Sequence, residues 1–318
     1  MAFWGGNRGK TRGGLFIFGG TMQYIVLSRQ SGDAYRVEEC VDVPYSTGTA
    51  RGDIFADPEI IARNLKTLKK KIKNWDGDVY AGIQSKDVLL RTVELPRMDM
   101  EDIKKSFRFE FGNFFPIPVD EAIYDVALVE KPKDGGKASD NVTPCLVAAV
   151  KISVVENLMM AAHDAGLKLS GIEPSPVAML RCLMGPEPPA GFNVYALAGL
   201  VSSVIIAAYR DNGIVFRNTT QAFAKDDPSG ENASDFTRDL LSTVKFAATQ
   251  IRDFYPDAIY IGGYGLAANP SLKDRVEEVT DRPVVTVNPW ELWEIKDGPE
   301  RTYGWETALG LALGPMEV

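Results

Sequence analysis

From residue 14 to residue 43 apolar runs alternate with short breaks: "LFIF", then Gly19-Gly20-Thr21, then "MQYIVLSR", then Ser31-Gly32-Asp33 and a third run. β-branched and aromatic runs bounded by Gly, Ser and Asp predict strands at 14–18, 22–29 and 34–43 joined by tight turns. A helix follows. Asp57 can cap it, and Pro58 suits its first position, where a missing N–H costs nothing. Ile61, Leu65, Leu68 and Ile72 recur at spacings of four and three, and "KTLKKKIK" falls mostly on the opposite side. A solvated helix face is the default reading of that basic run, with contact to anionic lipid as the alternative.

The pattern returns in the second half. A strand at 194–198, a bend at Gly199, a strand at 203–209, a turn at Asp211-Asn212-Gly213 and a strand from Ile214 repeat the first order. Ser202 and Ser203 take the place of Gly20 and Thr21. A polar loop over 221–234 then leads to a helix at 235–255, faced by Phe236, Leu240, Val244, Ala247, Ile251 and Phe254 and stopped by Pro256. "AIYIGG" reads as a strand entering Tyr264-Gly265, "RPVVTVNP" as another, and "YGWETALGLALG" as a terminal small-residue helix. Two such halves indicate an internally duplicated α/β protein.

Residues 78–166 follow a different rhythm. "DVYAGIQSKDVLLRTVELP" suggests paired strands, and Asp99 caps a helix in which Ile103, Phe107 and Phe111 recur every four residues. Two strands, "AIYDVALVE" and "TPCLVAAVK", precede a helix from Ser153 that closes at Gly166, a residue suited to the left-handed end of a helix. This unit reads as a small α+β insert.

Composition narrows the chemistry. The chain has 318 residues, enough for two lobes, and a net charge of −8, which argues against a nucleic-acid partner. Cys40, Cys145 and Cys182 sit in apolar surroundings and read as reduced thiols of a cytoplasmic protein. The single histidine, His163, leaves almost no raw material for a histidine metal site or a Ser-His-Asp triad; a surface or helix-end residue is expected. The start lacks the apolar core of a signal peptide, and the longest apolar run, 194–209, is short of a membrane span and reads as two buried strands.

At "VELPRMDMEDIKKSFRFEFGNFFPIPVDEAIYDVALVE", residues 93–130, the sequence resembles the PilM family, actin-like cytoplasmic proteins of type IV pilus assembly related to the cell-division protein FtsA. The resemblance rests on Glu94-Leu95-Pro96, Arg108 with Glu110, Phe115-Pro116-Ile117-Pro118 and Asp125, and extends in order and spacing from Gly14 to the final "ALGLALG". It implies an actin-like α/β fold of two lobes, duplicated in the ribonuclease H-like manner, with a small α+β subdomain inserted. Residues 1–12 would be a flexible tail; 13–77, 167–190 and 303–318 the first lobe; 78–166 the insert; and 191–302 the second lobe.

In actin-like ATPases two hairpin loops hold the nucleotide, and an Asp in each organises Mg²⁺. The resemblance would place the first Asp on Phe16, and no Asp or Glu occurs between Phe192 and Arg210 to serve the second loop. What is left is a vestigial set: Gly19, Gly20 and Thr21, Ser202 and Ser203, and the Gly-rich turn of Gly262, Gly263 and Gly265. No catalytic residue, metal or cofactor is expected, with residual ATP binding as the alternative; ATP hydrolysis is expected to be lost, and each Gly bend is read as a tight hairpin.

The resemblance further implies a scaffold at the inner face of the bacterial inner membrane, in a pilus or related secretion machine. It would bind the cytoplasmic N-terminal peptide of a PilN-like membrane protein, and it admits pilus motor ATPases as further partners. The groove for that peptide would be lined from 79–95, 105–118 and 167–180, with Val88, Leu90, Phe107, Phe111, Phe115, Pro116, Ile117 and Ile172 as contact candidates. The "FFPIP" segment reads equally well as subdomain core and a rigid turn. The alternatives are an actin-like ATPase or kinase, which would need the missing carboxylates, and an FtsA-like filament protein, which would favour an amphipathic helix after "GPMEV".

Overall fold

The computed structural model describes residues 11–18, 20–30, 34–46, 54–73, 78–128, 142–199, 203–209, 212–219, 223, 231–250, 255–300 and 303–314. The first three strands are β1 (Thr11–Phe18), β2 (Thr21–Arg29) and β3 (Tyr35–Pro44). They form an antiparallel meander, with Phe16 opposite Gln23 and Tyr24 opposite Val41. Helix α1 (Pro58–Lys69) begins where Asp57 accepts hydrogen bonds from the amides of Glu59 and Ile60, and buries Ile61, Leu65 and Leu68. Ile72 lies beyond the helix end but packs on the same cluster.

Strands β4 (Asp78–Ile83) and β5 (Val88–Pro96) do not pair, contrary to the expectation from their adjacency. β4 runs parallel to β1 and is buried from Val79 to Ile83, as a strand covered on both faces must be. β5 alternates and joins another sheet. Helix α2 (Met100–Phe114), capped by Asp99, and strands β6 (Ala122–Leu128) and β7 (Val142–Lys151) complete that unit, a three-stranded sheet ordered β5-β7-β6. Helix α3 (Ile152–Asp164) then returns to the first lobe. Its Leu158, Ala161 and Ala162 share a core with Leu65 and Leu68 of α1 and with Leu15 and Ile17 of β1. The compact insert is therefore 88–151, narrower at both ends than the 78–166 expected. Gly166, with φ +69°, closes α3 as anticipated.

Strand β8 (Leu169–Pro174) lies parallel to β4 at the edge of the first sheet, and α4 (Ser175–Met184) leaves it for the space between the lobes. The second lobe follows as β9 (Phe192–Leu197), β10 (Ser203–Tyr209), β11 (Asn212–Thr219), α5 (Glu231–Gln250), β12 (Ala258–Gly262), α6 (Tyr264–Ala268), α7 (Leu272–Thr280) and β13 (Val284–Thr286). Helix α5 begins at Glu231, four residues before the expected start, so part of the segment expected to be loop is helical. The chain closes with α8 (Pro289–Leu292), β14 (Ile295–Lys296) and α9 (Glu306–Leu313), β14 adding to the outer edge of β3.

The duplication is explicit in the strand orders. One sheet runs β14-β3-β2-β1-β4-β8 and the other β11-β10-β9-β12-β13. In each, the first strand of the lobe is central, antiparallel to the second and parallel to the fourth. Helices α4 and α9 lie between the two sheets. Met179, Leu180, Leu183 and Met184 of α4 meet Tyr195 and Leu197 of β9, while Ala308, Leu309 and Ala312 of α9 meet Ile25 and Leu27 of β2. All residues of α4 but Val177 are buried, the expected pattern for a helix covered all round.

Candidate functional site

Two regions bear on function: the β1–β2 bend of the first lobe, and the seam between first lobe and insert. At the bend, Gly20 adopts φ +80° and its carbonyl accepts from the Tyr45 amide at 2.7 Å. The positive φ explains the glycine. Thr21 opens β2 and is half-buried. Behind them Phe16 and Phe18 stack with ring centroids 4.9 Å apart. Phe16 packs with Tyr80, Ala178 and Leu311, and its ring covers Gly82, where a Cβ would come within 2.9 Å of it. The place that the resemblance assigns to a metal-organising aspartate is thus part of the packing between sheet and helices. Gln84, at the end of β4, ties down the strand through its side-chain amide, which donates to the Ile17 carbonyl at 2.7 Å.

The glycines of the third loop are taken up by close packing. A Cβ on Gly262 would stand 2.5 Å from Leu183, one on Gly263 2.7 Å from the Ala198 carbonyl, and one on Gly265 2.6 Å from the Ala198 Cβ. The Gly265 amide donates to Ala198 at 2.8 Å, so this turn is clamped to the end of β9. Tyr264 and Tyr303 form an aromatic pair beside it, with centroids 5.2 Å apart. Gly19 and Ser202 lie outside the described residues, and Ser203 is described only as the first backbone position of β10. Among the described residues, no three His, Cys, Asp or Glu side chains gather as metal ligands.

One polar group near the bend was not anticipated. Gln23, opposite Phe16 on β2, is 1% exposed and its amide has no hydrogen-bond partner among the described residues. The signal was legible as a lone amide in the apolar run "TMQYIVLSR".

A second polar cluster lies under α9. The Arg12 guanidinium stacks 3.6 Å from the centre of the Tyr80 ring, near the glycine that ends α9, Gly314. Burial lowers the Arg12 pKa from its ordinary value and raises that of the Tyr80 hydroxyl. Glu173 and Arg181 complete the group, paired at 2.9 Å.

The insert sheet presents two apolar faces. One is closed by α2, with Phe107 and Phe111 wholly buried and Phe115 3% exposed. Phe107 and Phe111 meet Tyr124 at 5.6 and 5.3 Å. These three phenylalanines are subdomain core and offer no surface to a partner; in "FGNFFPIP" Gly112, Asn113, Pro116 and Pro118 are exposed. Pro116 is exposed and Ile117 half-buried on that core. The other face turns to the first lobe, where Val88 and Leu90 meet Ile83, Val155 and the half-buried Ile172. The structure therefore brings Val88, Leu90 and Ile172 together and sets Pro116 and Ile117 apart from them. Ile123 of β6, paired with Val150, extends this face and is 43% exposed. β8, which carries Ile172, is outermost in its sheet, and each of its residues is half-buried.

Compared by sequence, the chain matches no family model and no curated protein significantly. Solved structures are more informative. The chain superposes on a protein of the PilM-PilN type IV pilus biogenesis complex with a TM-score of 0.77 at 20% identity, over 96% of this chain and 98% of that one. This is the actin-like fold. The cytoplasmic domain of EpsL, an inner-membrane component of the type II secretion system of Vibrio cholerae, follows at a TM-score of 0.52 and 11% identity, covering 96% of each chain. A Bacteroides thetaiotaomicron protein of actin-like ATPase fold and unknown function gives 0.51 and 11%, covering 95% of each. The likeness in fold extends over nearly the whole chain, both duplicated sheets and the β5-β7-β6 sheet included. No helix among the described residues is long and apolar enough to cross a membrane.

Proposed function

We propose that this protein is a scaffold of a type IV pilus or related secretion platform, which holds the cytoplasmic N-terminal peptide of a PilN-like inner-membrane protein and no longer hydrolyses ATP. The observation that carries the reading is the apolar seam of Val88, Leu90, Val155 and Ile172 beside the edge strand β8, in a fold like that of the PilM-PilN complex. An extended peptide can add to such an edge through its backbone and set alternate side chains into the apolar seam. Phe16 in place of a carboxylate supports the loss of hydrolysis, since Mg²⁺ and a triphosphate need charged and polar partners rather than a stacked ring pair. The partner's membrane segment would then bring the scaffold to the inner face of the membrane.

The test is calorimetric titration of the full chain with the synthetic N-terminal peptide of a PilN-like protein. Saturable binding is expected, weakened about tenfold or more by Ile172→Glu, which puts a charge on the half-buried seam while remaining within reach of water. Absence of saturable binding by the wild-type chain overturns the reading.

A further inference from the structure

The outer layer of the first lobe consists of α1 and α3 lying side by side in the same direction. The Asn157 side chain donates to the Phe55 carbonyl just before α1 at 2.7 Å, and the Lys69 ammonium donates to the Ala165 carbonyl just after α3 at 3.3 Å. In a chain of net charge −8, residues 60–73 carry Arg63, Lys66, Lys69, Lys70, Lys71 and Lys73 and no acid. All of these cations are exposed. Arg63, Lys66 and Lys70 follow one another at spacings of three and four, so they form a single stripe along the helix. Arg63, Lys66, Lys70 and Lys71 take part in no ion pair among the described residues.

The stripe borders a groove of about 440 Å³ between the helices, lined also by Glu59, Ala62, Thr67 and Asp164. One turn before Asp164 on α3 stands Met160, and next to it Met159; each is 56% exposed. Two adjacent methionines projecting from the same helical layer as an unpaired basic stripe are an apolar foot beside a cationic one.

We propose that this α1–α3 face docks on the anionic headgroups of a phospholipid bilayer, the cations lying over lipid phosphates and Met159 and Met160 entering the interface. Charge complementarity selects the partner: a linear row of mostly flexible ammonium groups suits a plane of negative charge. No aromatic side chain occurs between residues 58 and 73 to stack on nucleic-acid bases. The exposed apolar pair has a place at a lipid interface and none on a phosphate backbone. Glu59, Glu156 and Asp164 on the same layer oppose binding, so it is moderate and salt-sensitive. The contact goes beyond the peptide reading and requires no membrane protein, so either can fail without the other.

The experiment is flotation of the full chain with vesicles of phosphatidylcholine alone, or with about 30% phosphatidylglycerol, at low and high salt. Binding to the anionic vesicles alone, lost at high salt, is expected. Removing Arg63, Lys66 and Lys70 by substitution with Gln should weaken it about a hundredfold, at roughly fivefold per cation. Replacing Lys245, Lys273 and Lys296 with Gln should leave it unchanged. Substituting Ala for Met159 and Met160 should reduce it further at low salt without altering selectivity for anionic lipid. Equal binding to neutral vesicles, no binding to anionic vesicles at low salt, or full binding by the natively folded Gln triple variant would overturn the proposal. So would retention of a duplex DNA probe by a chain that ignores the vesicles.

Discussion

Arg181 of α4 sets its Nη2 2.9 Å from Oε2 of Glu173 on β8, while its Nη1 donates to the Gly310 carbonyl of α9 at 2.6 Å. One side chain thereby links the edge of the first sheet to both helices that separate the lobes. The Arg181 side chain is 6% exposed and that of Glu173 17%, so solvent does little to relieve either charge if its partner is lost.

Arg181→Met is accordingly expected to cost about 3–5 kcal/mol, because it strands the Glu173 carboxylate and leaves a helix carbonyl without its donor. Arg12, whose charge also acts on this cluster, limits the loss. The double variant with Glu173→Gln should be more stable than the Arg181→Met single variant. Urea denaturation of the three proteins checks this, and equal stability of single and double variants would contradict it.

Gly310 and Gly14 set how closely α9 approaches its neighbours. A Cβ on Gly310 would overlap the carbonyl of Ala178 in α4, and one on Gly14 would overlap that of Ala308 in α9. Gly310→Ala should therefore destabilise by about 3 kcal/mol or more, as backbone rather than a flexible side chain must yield. Gly112, on the exposed side of α2, has nothing within 4 Å of its would-be Cβ, and Gly112→Ala should stabilise by about 1 kcal/mol. Thermal unfolding of the two variants should shift in opposite directions.

These contacts show where sequence reading succeeds and where it stops. Alternation and turn residues located β1, β2 and β3, and the caps Asp57 and Asp99 marked the starts of α1 and α2, because those signals act within a few residues. The repeated order of strand, bend and strand disclosed the duplication. The separation of β4 from β5 was not legible, since two strands joined by four residues commonly pair and only the non-local partner β1 decides otherwise. The fate of Phe107 and Phe111 was equally hidden: a four-residue apolar period shows that one face is covered, but not whether a partner or the subdomain's own sheet covers it. Of the contact candidates that the resemblance offered, Val88, Leu90 and Ile172 pack together at the seam, while Ile123, which extends the same face, belongs to a strand read only as a strand.

The packing of Phe16 makes a prediction about nucleotide. Titration with Mg-ATP should show no Mg²⁺-dependent binding, and Phe16→Asp should not restore it. That substitution instead exchanges contacts with Phe18, Tyr80 and Leu311 for a half-buried carboxylate, and should lower stability by about 3 kcal/mol. Tight Mg²⁺-dependent binding by the wild type would refute the reading of this bend as structural.

Cys145 links the insert's core to an alkaline stability profile. It is wholly buried on β7, and burial raises its thiol pKa from 9.0 to about 11. The folded chain thus keeps a proton that the unfolded chain releases. The stability this confers is complete below pH 9 and falls as pH rises from 9 towards 11, at about 1.4 kcal/mol per pH unit and about 2–3 kcal/mol in all. Cys182, buried on α4, shifts in the same direction and adds to the slope. Cys145→Ala should therefore flatten the fall in urea midpoint above pH 9 relative to wild type, whatever it does to stability at pH 7. An unchanged alkaline slope would show that Cys145 does not carry the effect. At pH 8 iodoacetamide should modify the half-buried Cys40 well before Cys145 or Cys182, because the two buried thiols are both protonated and covered.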